Sequence, residues 1–101
     1  MFDRKVWYVP EGVPKGHACF QGHFHGNPIV PGAYLLALAE AKLGTIGLAI
    51  TSVRRVKFLK PLKPGEAFSI EATSSNDRLT LRWSGSDETI AEATVSACEC
   101  R

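Results

Sequence analysis

The sequence predicts an α+β fold in which an antiparallel β-sheet wraps one buried central helix, within a single domain spanning residues 1–101. Three observations predict it. Only the segment between Pro31 and Gly44 has both the punctuation and the length of a helix. From Phe68 onward, apolar and polar residues alternate in three segments separated by turn residues. A chain of 101 residues has room for one domain and no more.

Composition narrows the class. Hydrophobic residues make up 45% and charged residues 22%, a globular balance that excludes a disordered or fibrous chain. A chain this short buries only roughly two-thirds of its unfolded surface, so an oligomer is expected, with a second chain adding buried area. The net charge of +2 gives no argument for nucleic acid or a membrane surface. No apolar run reaches the ~18 residues of a membrane span. The opening residues Met1 to Tyr8 lack a signal peptide's apolar stretch, so the expected compartment is the cytoplasm. Cys19, Cys98 and Cys100 are an odd number and read as free thiols. Cys98 and Cys100 alone do not make a metal site, and no metal or cofactor is expected.

The elements follow in order. Lys5 to Val9 is aromatic and β-branched and reads as a strand that Pro10 ends. Residues 10 to 32 hold four of the six prolines, five of the nine glycines and all three histidines, His17, His23 and His25. A loop of that length in a small domain tends to be functional. The helix follows, with Pro31 at its first position and Gly44 as the residue after its last turn. Between them only Glu40 and Lys42 carry charge, which reads as a helix buried nearly all round. Ile50 to Leu59 is a strand stopped by Lys60-Pro61. Lys63-Pro64-Gly65-Glu66 has Pro and Gly where a type II turn wants them. Phe68, Ile70 and Ala72, then Leu79, Leu81 and Trp83, then Ala91, Ala93, Val95 and Ala97 alternate with polar residues. Hairpin-type turns between these strands predict an antiparallel meander with one apolar face, curved around the helix. That is the hot-dog arrangement.

Residues 20 to 36, Phe-Gln-Gly-His-Phe-His-Gly-Asn-Pro-Ile-Val-Pro-Gly-Ala-Tyr-Leu-Leu, closely resemble the signature G-H-F-P-G-N-P-I-x-P-G-x-x-x-L of the hot-dog 3-hydroxyacyl-acyl-carrier-protein dehydratases of fatty-acid synthesis. Val53 to Glu66 also resembles that family's strand and turn, and order and spacing agree from about residue 8 to the end. A looser resemblance is to short relatives in fatty-acid-like and aryl-polyene-type pathways.

The resemblance implies elimination of water from a 3-hydroxyacyl thioester carried by an acyl carrier protein or coenzyme A. That reaction needs a base for the C2 proton, an acid for the leaving hydroxyl and a donor to the thioester oxygen. Imidazole titrates near working pH, and the resemblance makes His23 the base. It makes the Gly32 amide the donor, at a helix start where N–H groups lack intrahelical partners and the dipole is positive. Close packing is the other use of a glycine there. Phe24, Gly26, Pro31 and Tyr34 are implied around the substrate.

Two positions depart from the pattern. Fourteen residues after the motif histidine the family carries Glu or Asp; here it is Ala37. Glu40, His25 and Tyr34 are the alternatives for the acid. His25 stands where the family has proline. Arg54, Arg55, Lys57, Lys60 and Lys63 suit either a solvated strand face or docking of an acidic carrier protein. In the family two chains join edge to edge, and each site takes His from one chain and the acid from the other. A homodimer is therefore expected. Ala37 keeps open a non-catalytic acyl-thioester binder or a heterodimer subunit, and the fold also hosts thioesterases.

Overall fold

The computed structural model describes residues 3–17 and 29–99. The chain runs β1 (Arg4–Val9), α1 (Gly32–Gly44), β2 (Leu48–Phe58), β3 (Phe68–Ser75), β4 (Arg78–Ser84) and β5 (Thr89–Glu99). The alternating segments form β3, β4 and β5, and their apolar residues make the inner face. Phe68, Ile70, Ala72, Leu79, Leu81, Trp83, Ala91, Ala93, Val95 and Ala97 are all buried. The period of two puts each strand's apolar set on one side of the sheet. Burying each larger aliphatic side chain contributes about 1.5–3 kcal/mol. The antiparallel five-stranded sheet with its one helix is the hot-dog fold the patterning predicts.

Turn chemistry sets the tight connections. The Lys63–Glu66 turn closes with Glu66 N–H donating to the Lys63 carbonyl at 3.2 Å, and Gly65 sits at φ +80° as a type II turn requires. Between β3 and β4, Asn76 takes φ +58°, a conformation its short polar side chain tolerates.

Strand order differs from a simple meander. It is β1-β3-β4-β5-β2, so β2 pairs with β5 at the far edge and β1 covers β3. Alternation specifies which face a strand buries but not its neighbour. The connection from β2 to β3 carries Pro61 and Pro64, which offer no N–H to a ladder. It is pinned instead to the loops before the helix. Val30 N–H donates to the Leu62 carbonyl at 2.7 Å, and Gly65 N–H to the Val13 carbonyl at 2.8 Å. Leu62 is buried beside them, so the segment crosses the end of the domain rather than turning back as a hairpin.

The helix is also less enclosed than its composition suggests. Leu35, Ala39 and Leu43, four apart, form its buried stripe. Ala33, Ala37 and Ala41, also four apart, are exposed on the other side. One sheet has one concave face and covers one side of a helix. The C-terminal end differs too. Gly44 is the last helical residue, Thr45 is the C-cap, and the left-handed glycine is Gly47 at φ +81°.

Trp83 ties helix to sheet. Its ring is fully buried on β4, and its indole N–H donates to the Leu35 carbonyl at 3.1 Å. The bond fixes the height at which the first turn of α1 meets the sheet, and so places the helix N-terminus.

Candidate active site

Pro31 is the N-cap of α1, in extended conformation at φ −61°, ψ 142°, and among the described residues no side chain caps the helix. Its carbonyl accepts from the N–H groups of Tyr34 at 3.0 Å and Leu35 at 3.2 Å. The N–H groups of Gly32 and Ala33 precede the first intrahelical bond and lie at the positive end of the dipole. They suit a carbonyl oxygen that gains negative charge.

A cleft of ≈ 450 Å³ opens beside this end of the helix. Ile29, Pro31, Gly32 and Leu35 form one wall, and Phe58 and Leu59 at the end of β2 form the other. Its lining is mostly apolar, as an acyl chain requires, with Lys60 at its edge. The Phe58 ring lies directly over Gly32: a Cβ at position 32 would stand 2.6 Å from its Cε1. The two readings of Gly32 are thus both available, since close packing against Phe58 occurs at the residue whose amide opens the helix. Phe58 is 57% exposed, and nothing in the strand pattern marked it as a wall of the cleft.

Of the residues the sequence singles out, Gly32 and Pro31 line this cleft, and Tyr34 stands on the first turn of the same helix. His23, Phe24, Gly26 and His25 lie outside the described residues, as do Cys19 and Cys100. Cys98 is a free, exposed thiol. Ala37 and Glu40 are both exposed on α1. Tyr34 is half-buried, and its hydroxyl lies 3.0 Å from His17 Nε2, with ring centroids 4.6 Å apart. Sequence reasoning counted His17 only as a loop histidine. A contact across 17 positions between a loop and a helix leaves no periodic signal.

The basic run on and after β2 divides. Arg54 donates through Nε to the Ser96 hydroxyl at 2.8 Å, beside the register shift between Val53 and Arg55. Lys60 pairs with Glu88 at 2.9 Å, and that hydrogen bond holds its ammonium above the ordinary lysine pKa. Both partners are exposed, so the pair adds little stability. Arg55, Lys57 and Lys63 are exposed as well.

A hot-dog sheet with an apolar cleft at the helix N-terminus is a framework that dehydratases and thioesterases share, and the sequence comparisons give the dehydratase class. Residues 5–96 match the model of the ApeI-like family, described as ApeI dehydratase, and the chain belongs to that family. It is 29% identical over 104 residues to the 3-hydroxyacyl-[acyl-carrier-protein] dehydratase FabZ of Bradyrhizobium sp. strain BTAi1, covering 86% of this chain and 68% of the relative. It is 32% identical over 91 residues to the FabZ of Latilactobacillus sakei, covering 72% and 64%. The chain thus spans about two-thirds of the length of these relatives. Its fold matches the dehydratase heterocomplex ApeI:P from Xenorhabdus doucetiae at a TM-score of 0.83 and 22% identity, covering 96% of this chain and 88% of that one. The protein is a dehydratase-like member of a hydro-lyase family. No helix among the described residues is long and apolar enough to cross a membrane.

Proposed function

We propose that this chain, folded as one domain, eliminates water from 3-hydroxyacyl thioesters held on an acyl carrier protein or coenzyme A. The observation that carries the reading is the apolar cleft ending at the start of α1 in a chain of this family. The acyl chain lies in the cleft, and the thioester oxygen accepts from the Gly32 N–H. His23 takes the C2 proton. As C2 gives up that proton, charge grows on the thioester oxygen, where the helix start stabilises it. Phe24, Gly26, Pro31 and Tyr34 contact the substrate. Arg55, Lys57 and Lys63 are the cations available to an acidic carrier. The compartment is the cytoplasm, and the assembly is a homodimer that covers the exposed Ala33, Ala37 and Ala41 stripe. No cofactor takes part.

The test is hydration of an enoyl thioester, the same reaction run backward. His23→Ala is expected to lower turnover by about 10²–10⁴, the usual worth of a general base. Undiminished turnover in that variant would remove His23 from the mechanism. Gly32→Ala is a second test. The change adds helix propensity of up to about 1 kcal/mol, and the exposed Phe58 ring is free to swing aside. Melting temperature should therefore hold within a few degrees while turnover falls, because the displaced ring intrudes on the cleft. Turnover equal to wild type would show that the wall beside Gly32 plays no part.

Two observations favour a second reading. Position 37 holds alanine, and the structural relative from Xenorhabdus doucetiae is a heterocomplex. In that reading the chain donates His23 to a different partner that brings the carboxylate. A purified single-chain assembly with full activity would exclude it.

A further inference from the structure

We propose that Tyr34 is the proton donor to the departing hydroxyl, with His17 as its positioning residue. The inference rests on the dehydration reading and supplies the group that reading lacks. Hydroxide is a poor leaving group, so C3–O cleavage needs a proton delivered as the bond breaks.

Of the three candidate acids, two stand among the described residues, Glu40 and Tyr34, and the structure separates those two. His25 lies outside the described residues. Glu40 is exposed on the third turn of α1, and no hydrogen bond among the described residues orients its carboxylate. Tyr34 is half-buried, packed against the core cluster, and its hydroxyl is held at 3.0 Å from His17 Nε2. It stands three residues before Ala37, so the two share a helix face. Helical side chains lean toward the N-terminus. A carboxylate at position 37 would therefore reach back over the turn on which Tyr34 stands. Tyr34 thus has a fixed hydroxyl and partial burial, on the helical turn before the position where the resemblance places the acid.

The proposed role fixes the direction of this hydrogen bond. For Tyr34 to donate its own proton, the phenol oxygen must accept from His17 Nε2–H. The imidazole then stabilises the phenolate that forms. The elimination balances as follows: the C2–H bond breaks toward His23, its electron pair makes the C2=C3 bond, and the C3–O bond breaks. The departing oxygen takes the Tyr34 proton and leaves as water. The phenolate, held meanwhile by the His17 N–H, regains its proton from solvent, and His23 releases the C2 proton to solvent.

The experiment compares two leaving groups on one acyl thioester, 3-hydroxy and 3-chloro, in the full chain. Chloride leaves as a stable anion and needs no proton. Tyr34→Phe is expected to slow loss of water by about 10² or more and to leave loss of chloride within a few-fold. His17→Ala should slow water loss less, spare chloride, and add nothing in the Tyr34→Phe background, as expected for residues acting as one unit. His23→Ala should slow both. Wild-type water loss in Tyr34→Phe would overturn the proposal. Equal loss of both reactions would also overturn it, since Tyr34 would then only shape the site. Wild-type protein that expels chloride but not water would overturn the donor while leaving the base in place. Both reactions surviving in His23→Ala would instead overturn the dehydration reading itself.

Discussion

Glutamate introduced at position 37 is expected to restore to the Tyr34→Phe chain most of the water loss that the tyrosine's removal costs, about two orders of magnitude. Ala37 is exposed on α1, so a carboxylate there meets no steric or desolvation penalty within the chain. Alanine and glutamate differ little in helix propensity. The new side chain leans back over the first turn, toward the space the phenol hydroxyl serves. In the otherwise unaltered chain the same substitution should gain far less, because a proton donor is already present. That asymmetry is the measurement: steady-state dehydration by Ala37→Glu, Tyr34→Phe and the double variant. A large gain in the unaltered background, with none specific to Tyr34→Phe, would mean that the site normally lacks an acid. It would then favour the heterodimer reading.

Trp83→Ala is expected to leave the chain barely folded. Removing a buried aromatic side chain costs about 3–5 kcal/mol through lost transfer energy and the cavity left behind. Here the indole's hydrogen bond to the Leu35 carbonyl goes too, for about 0.5–1.5 kcal/mol more, the carbonyl keeping its place in the helix ladder. Total stabilities run only to about 5–15 kcal/mol. A domain of this size loses roughly 4–8 °C of Tm per kcal/mol, so a fall of more than about 15 °C should be seen by thermal unfolding. Trp83→Phe keeps most of the packing and loses only the indole N–H, and should fall by much less. If the alanine variant melts near wild type, the helix is not anchored through β4 as the geometry indicates.

The parts that were readable from residues share a short range. Pro64 and Gly65 are adjacent, and their φ preferences make the turn wherever the segment lies. Alternation in Leu79, Leu81 and Trp83 names one face of a strand, and all three are buried. Pro31 marks the helix start to within one residue: it is the extended N-cap, and the first helical position is Gly32. The motif through residues 20 to 36 carried the family, which the match over residues 5–96 bears out.

Other features depend on partners far along the chain. Residues of β2 read as the first strand of a meander, yet they pair with Ala91 to Glu99 because the proline-bearing connection is held to Val13 and Val30. Phe58 reads as an ordinary strand residue until the crossover brings its ring over Gly32. His17 has no signature at all until the loop folds against α1 and meets Tyr34.

Local rules of φ, alternation and capping act over a few residues, so the elements, their faces and the family motif stand in the linear order of side chains. Strand order, the open side of the helix, the wall of the cleft and the His17–Tyr34 pair arise only when distant segments pack. No short-range preference encodes which of several compatible surfaces will meet; burial of the shared core decides it.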